Sequence, residues 1–177
     1  MVATWIMNLY YGIIFIAPGM IGNAVPVFVS GLGRVDGGRT FYRDGKPILG
    51  SHKTRGGLIS AVLAGGLVGI AAPLYFPEIF YGNGVEGYTY IIGFIMGFGA
   101  MFGDSFGSFL KRRINIRPGG PFPIMDQIGF VFFAYLFAAP FVHYPIIWPL
   151  LVVPFTFLLH LTSNLLAYSM GWKDVWY

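Results

Sequence analysis

Apolar residues run along this chain in five long blocks, at about 4–30, 57–80, 88–110, 127–144 and 146–170, with short polar or charged stretches between them. Crossing a bilayer takes roughly 20 predominantly apolar residues in a helix, so each block predicts a transmembrane helix. The first block is interrupted by Pro18, Gly19, Gly22, Asn23 and Pro26, which predicts a kink or break in its second half. Only a tight turn at His143, Tyr144 and Pro145 separates the last two blocks. In the connection 31–56, Arg39-Thr-Phe-Tyr and Lys46-Pro-Ile-Leu flank Asp44-Gly45, a pairing that predicts a short hairpin. Pro47 restricts its second strand to an edge. The fold class expected is all-α, a polytopic integral membrane protein of five spans. It forms one domain over 1–177, with cytoplasmic loops at 31–56 and 111–126, the first of them structured. No internal repeat is visible, so the inverted-repeat pattern of many transporters is missing.

Charge adds direction to this picture. Arg34, Arg39, Arg43, Lys46, Lys53 and Arg55 lie between the first two spans; Lys111, Arg112, Arg113 and Arg117 follow the third; Lys173 follows the fifth. The N-terminal segment, the loop carrying Glu78 and Glu86, and the turn near His143 contain no Lys or Arg. The positive-inside rule then predicts an outside N-terminus and a cytoplasmic C-terminus. An odd number of spans satisfies that arrangement. Composition agrees, since 10% of the 177 residues are charged, against about 25% in a soluble domain. The net charge of +4 follows from membrane topology and does not point to nucleic acid. Met1 to Thr4 lack the basic start of a signal peptide, so the first block reads as a retained span in the cell membrane. There is no cysteine, which excludes disulfides and thiolate metal sites.

Candidate chemistry concentrates where spans meet basic loops. Asp104 lies inside an apolar run, where a carboxylate costs about 2.5–3.5 kcal/mol on insertion scales. Asp104, Ser108 and Lys111 are spaced to share one helical face, while Gly99, Gly103 and Gly107 open a smooth surface for a neighbouring helix. Asp126 opens the fourth span after the Gly/Pro-rich stretch 117–123. By itself it would be an ordinary carboxylate at a helix start. Together, Asp104 and Asp126 sit toward the same ends of consecutive spans and can face each other. Two carboxylates among Lys111, Arg112 and neighbouring cations suit Mg²⁺ bound jointly with phosphate oxygens. A second cluster, Gly50-Ser51-His52-Lys53-Thr54-Arg55, has the makings of an anion site or of a basic membrane anchor. Asn23 is open between an interhelical hydrogen bond and a ligand contact. His160, Thr162, Ser163 and Asn164 form a polar patch in the last span, read as packing.

These residues carry a resemblance. The elements Gly22-Asn23-x-x-Pro26, Asp36-Gly37-Gly38-Arg39, Asp44-Gly45-Lys46 and Gly50-Ser51-His52-Lys53-Thr54 occur in that order. Gly103-Asp104-Ser105-x-Gly107-Ser108-Phe109-Leu110-Lys111-Arg112-Arg113 and Asp126-Gln127 follow. With them the chain resembles the CDP-archaeol synthases, archaeal relatives of the CDP-diacylglycerol synthases. The resemblance implies a cytidylyltransferase that makes a CDP-activated lipid and pyrophosphate from CTP and 2,3-di-O-geranylgeranylglyceryl phosphate (unsaturated archaetidic acid), an isoprenoid ether lipid phosphate. It implies Mg²⁺ on Asp104 and Asp126, phosphate binding by Lys111, Arg112 and Lys53, and further CTP contacts from Asn23, Ser51, Thr54 and Ser108. The active site would face the cytoplasm and the lipid would arrive from the membrane. Two positions depart from the family pattern. Gly129 stands where a second acidic residue is expected, and Arg55-Gly56 replaces an aromatic followed by Arg. The alternatives are a small transporter or channel with Asp104 in its path, and a CDP-alcohol phosphotransferase. The latter's long Asp-rich pattern follows neither Asp36-Gly37 nor Asp44-Gly45.

Overall fold

The computed structural model describes residues 2–29, 31–117 and 120–172. Pro118 and Gly119 of the Gly/Pro-rich loop and the cation Lys173 lie outside them. The element order is α1 (Val2–Ala24), a single 3-10 turn (Val25–Val27), α2 (Arg55–Tyr75), α3 (Pro77–Phe80), α4 (Ile91–Arg113), α5 (Pro123–Ala138) and α6 (Ile147–Ser169). The architecture is all-helical, and four helices (α1, α2, α4 and α6) are long and apolar enough to cross a membrane.

The expected fourth span is shorter as a helix. For the block at 127–144 the structure has α5, a 16-residue apolar helix that ends at Ala138. At 1.5 Å per residue it rises about 24 Å, short of a hydrocarbon core of about 30 Å. Pro123 starts it at the level of the site described below, and Asp126 lies in its first turn. The first block breaks in its second half, as its Gly, Asn and Pro residues predict. Its helix continues through Pro18, which is fully buried, and gives way to the 3-10 turn only where Pro26 follows. The hairpin is real but minimal. Phe41 N–H donates to Lys46 O at 2.7 Å and Ile48 N–H to Arg39 O at 3.1 Å, around one bridge between Thr40 and Pro47. No strand is long enough to be named among the described residues.

Helix α4 is the hub, packing on α5 along one side and on α2 and α1 along the others. Glycine makes both approaches possible. A Cβ at Gly65 of α2 would meet Gly93 O at 2.7 Å and Gly97 Cα at 2.8 Å. On the α5 side, a Cβ at Gly103 would meet Gly129 O at 2.5 Å, and one at Gly99 would meet Phe133 O at 2.7 Å. The expected small-residue face at 99 and 103 is therefore occupied by α5. Gly129, the residue standing at the expected acidic position, lies buried on that same crossing.

The two ends of the bundle are chemically opposite. At the end carrying Glu78, Glu86 and the bridge from Glu86 to His143, aromatic packing dominates. There Phe15, fully buried, touches the rings of Phe80, Tyr135, Tyr144 and Trp148. Buried polar tips are satisfied in place: Tyr135 donates to Gly12 O at 2.8 Å, Tyr144 to Tyr135 O at 2.8 Å and Trp148 to Asn8 Oδ1 at 3.2 Å. This cluster rigidifies one end and leaves the other end for polar chemistry.

Candidate active site

At the opposite end the loop 31–54 folds back over the starts and ends of the helices. Asp36 organises it. Its carboxylate accepts from the backbone N–H groups of Gly38 and Leu49 at 2.9 Å each and of Gly50 at 3.4 Å. Burial alone would raise the Asp36 pKa, but those three hydrogen bonds, with the Arg34 charge nearby, outweigh it and hold the carboxyl below its usual range. Arg113 then fastens the hairpin to the end of α4. It donates to Pro47 O at 2.6 Å, lies 3.2 Å from the Asp44 carboxylate, and is sandwiched between Phe41 and Phe109, 4.8 and 4.9 Å from the ring centres. In return Lys46 donates to Arg113 O at 3.2 Å. The Lys111-Arg112-Arg113 run is thereby divided: the third cation is structural and the first two face the site.

The site is a basin of about 260 Å³ whose walls include Lys53, Asp104, Ser108, Lys111, Arg112 and Asp126. The face predicted from the spacing of Asp104, Ser108 and Lys111 is thus the wall that α4 contributes. Asp104 pairs with Lys53 from the loop. Lys111 pairs at 2.6 Å with Asp126. Asp126 also accepts from Phe122 N–H at 3.0 Å, so the ordinary helix-start role and a place in the basin coexist in one carboxylate. Arg112 is 8% exposed, has no ion pair among the described residues, and leaves its Nε without a hydrogen-bond partner. A buried guanidinium without a counter-charge is costly. The basin therefore holds three cations against two carboxylates, and one of the cations is desolvated.

A second polar cavity, of about 360 Å³, meets the first at Lys53 and Asp104 and brings in Asn23, Ser51 and Thr54. All nine residues predicted for the site line one or both cavities. Asn23 makes no interhelical hydrogen bond among the described residues, which leaves its amide to the cavity. Thr54 has a structural task as well. It is the N-cap of α2, its Oγ1 accepting from Gly57 N–H at 3.1 Å, a bond worth about 1 kcal/mol. His52, to which sequence reasoning gave no role, lines both cavities. Its place between Ser51 and Lys53 was the available signal. Gln127 was likewise passed over: it is 6% exposed with Oε1 unpaired. His160 meets Phe130 edge-on at 5.9 Å, in keeping with a packing role for that patch.

Beside the polar basin runs an apolar groove of about 310 Å³, lined by Leu58, Met101, Phe98, Phe102, Phe106 and Phe109 among others. Leu49 walls both the groove and the basin, and Met101 both the groove and the second polar cavity. Ser105, next to Asp104, contributes a hydroxyl to the groove wall.

Among the described residues no three His, Cys, Asp or Glu side chains gather into a cage for a metal ion. The donor set that does exist is two carboxylates on one basin. That fits Mg²⁺, which commonly takes one or two protein carboxylates and completes its octahedron with water and phosphate oxygens.

Fold and site together define a multi-pass membrane protein with a cationic, carboxylate-bearing basin equipped for an anionic ligand. Comparison with known proteins narrows this class. A family model described as CarS-like, CDP-archaeol synthase, matches residues 5–177. A CDP-archaeol synthase of Thermococcus kodakarensis is 41% identical over 174 residues, covering 97% of this chain and 98% of that protein. One of Methanococcus aeolicus is 35% identical over 168 residues, covering 93% and 94%. A solved structure, described as an intramembrane enzyme for archaeal membrane lipid biosynthesis, is similar with a TM-score of 0.75 and 32% identity. That match covers 88% of this chain and 94% of the other. The chain belongs to the CDP-archaeol synthase family. Membership leaves the transporter and CDP-alcohol phosphotransferase alternatives without support.

Proposed function

We propose that this chain is a Mg²⁺-dependent cytidylyltransferase that joins CTP to 2,3-di-O-geranylgeranylglyceryl phosphate, giving the CDP-lipid and pyrophosphate. The observation that carries the reading is Arg112, a buried and unpaired guanidinium on a basin that also holds Lys53, Lys111 and two carboxylates. Such a basin is incomplete without a polyanion. In the reaction a lipid phosphate oxygen bonds to the α-phosphorus of CTP while the α–β anhydride bond breaks, and pyrophosphate leaves with the electron pair. The attacking phosphate is already anionic, so no general base is required. What the protein supplies is positioning and charge stabilisation.

Lys111 and Arg112 hold the phosphates, and Lys53 moves from Asp104 to them. Asp104 and Asp126 hold Mg²⁺, which when bound adds Lewis-acid stabilisation of the phosphate oxygens. Asn23, Ser51, Ser108 and the hydroxyl proton of Thr54 supply polar contacts to the nucleotide. The lipid tails lie in the aromatic groove, whose shared wall at Leu49 puts their phosphate beside the basin.

The basin opens to the cytoplasm in this reading, with the N-terminus outside and the C-terminus inside. The described Lys and Arg residues all fall in the loops and helix ends at one end of the bundle, which supports that orientation through the positive-inside rule. Helix α5 starts the fourth of five spans. It begins at the depth of the basin, and the apolar residues after Ala138 complete the crossing.

The test is incorporation of labelled CTP into a lipid-soluble product by purified protein with Mg²⁺. Asp104→Asn keeps the shape and a Lys53 acceptor but removes the charge. Loss of metal stabilisation worth about 4 kcal/mol would lower turnover about 10³-fold, and Mn²⁺ binding in the presence of CTP should weaken in parallel. Full activity in that folded variant would remove the metal role. Absence of any labelled product from the folded wild type, with ether- or ester-linked lipid phosphate, would sink the enzymatic reading.

A further inference from the structure

A further cavity, mostly apolar but bordered by charged side chains, has no part in the chemistry above. It measures about 380 Å³ and is lined by Val35, Asp36, Arg39, Leu49 and Arg55 among others. Arg55 is the departure from the family pattern noted in the sequence, and it turns not to the basin of Lys53 and Asp104 but to this neighbouring cavity. Neither Arg39 nor Arg55 makes an ion pair among the described residues, whereas Lys53, Lys111 and Arg113 all do. Asp36 also borders the cavity, but its oxygens are committed to the N–H groups of Gly38, Leu49 and Gly50. Two guanidiniums thus share a concave site without a carboxylate of their own to bind. Arginine's planar fork matches phosphate oxygens two at a time.

The position of the cavity identifies what kind of phosphate it takes. Val35 and Leu49 wall both this cavity and the aromatic groove. Leu49 also walls the catalytic basin. The groove therefore ends at a divider, with the basin on one side of Leu49 and the two arginines on the other. Arg55 is the first residue of α2, so the cavity lies at the membrane boundary, level with lipid headgroups. A soluble anion has no use for the apolar groove, and a lipid with tails in it has two places for its phosphate.

We propose that Arg39 and Arg55 form a second lipid-phosphate site, separate from the reacting position, at which a lipid lying in the aromatic groove is held before its headgroup passes Leu49 into the basin. This rests on the reading of a lipid phosphate as substrate, and its test keeps the two apart. Purified protein in detergent is titrated with a dialkylglyceryl phosphate, with bound lipid counted by native mass spectrometry and CTP binding measured by calorimetry. Wild type should retain the lipid at concentrations where Arg39→Gln/Arg55→Gln has lost it, with CTP affinity unchanged. The variant's KM for lipid should rise about tenfold, with kcat and the KM for CTP unaltered. Equal lipid retention by both proteins, with equal lipid KM, would overturn the proposal. If the double variant fails to bind CTP and is misfolded, Arg39→Gln alone decides, since Arg39 is exposed and its backbone makes the hairpin bonds. A drop of at least threefold in lipid affinity is then expected, and no drop refutes the site. A dialkyl phosphodiester that competes equally identifies the surrounding anionic lipid as the occupant. Selective retention of the phosphomonoester identifies the substrate. Arginine-dependent lipid binding without any CTP turnover would leave this site standing and remove the proposed reaction.

Discussion

Replacing Gly65 by alanine tests whether the α2–α4 crossing sets the geometry of the basin. The added Cβ would lie 2.7 Å from Gly93 O, 2.8 Å from Gly97 Cα and 3.0 Å from Gly97 N, all of them backbone atoms of α4. Ordinary contact begins at 3.4 Å, so the helices must part locally by about 0.7 Å. Forced overpacking of this kind costs about 1–3 kcal/mol. The functional consequence travels along both helices. The start of α2 carries Thr54 and, one residue before it, Lys53, while α4 carries Asp104, so parting the helices moves the two halves of an ion pair. A misplacement of about 1 Å is enough to lower turnover about 100-fold.

Gly66→Ala is the matched control. Its Cβ would come nominally closer, 2.2 Å, but to the ring of Phe94, a half-buried side chain at the membrane face that can swing aside. The measurements are thermal unfolding in detergent and labelled-CTP incorporation. Gly65→Ala should lose both stability and turnover, and Gly66→Ala should keep most of each. A Gly66→Ala protein more damaged than Gly65→Ala would refute the argument that backbone contact, rather than bare distance, makes these glycines necessary.

Two further outcomes follow from individual charges. Arg112→Gln removes a buried cation that has no internal partner, so thermal stability should hold or rise. CTP affinity should fall about 10- to 100-fold, the equivalent of one charge-assisted hydrogen bond of about 1.5–3 kcal/mol, and calorimetry reads both; unchanged CTP affinity would exclude Arg112 from the phosphate site. Asp36 has a folded pKa below the ordinary 3.8, so its stabilisation of the loop is complete above that value and disappears as pH falls through the lower folded pKa. Limited proteolysis over a falling pH series should find the loop 31–54 protected at pH 5 and cleaved once pH passes below the folded pKa, while Asp36→Asn is cleaved throughout; equal cleavage of wild type and Asp36→Asn at pH 5 would refute the role of Asp36.

What the sequence made legible was whatever hydropathy, charge and spacing encode locally. Helix positions followed from apolar length, and the shared face of Asp104, Ser108 and Lys111 followed from helical periodicity. The convergence of Asn23, Lys53 and Asp126 on that face came from the motifs they occupy. Partner choice was not legible. Lys111 stands seven residues from Asp104 on its own helix, yet it pairs with Asp126 across the α4–α5 crossing, and Asp104 takes Lys53 from the loop. Those pairings depend on how closely glycine lets α2 and α5 approach α4, a tertiary quantity. The end of α5 was misjudged for a related reason. Apolar residues continue beyond Ala138, and hydropathy alone does not reveal that the helix stops there and leaves a turn to bridge Glu86 and His143.

The division of the ten described cations explains why charge lies so heavily at one end of the bundle. Orientation of a membrane chain needs only a few positive residues near the span ends, and any of them would serve. Here their tasks differ by environment. Arg113 is consumed by two aromatic rings and the hairpin carbonyls. Lys53 and Lys111, themselves mostly buried, are neutralised by Asp104 and Asp126, whose carboxylates stay 40% and 39% exposed. Arg112 is buried and has no such partner among the described residues, so its charge on the basin is left unneutralised. A pair in which a lysine leaves a carboxylate when a polyanion and a divalent cation arrive together exchanges one neutral arrangement for another. The exchange can then proceed without baring the charge of Lys53 or Lys111. On this account the carboxylates bind metal weakly when CTP is absent, because each lysine must first be given a phosphate to hold.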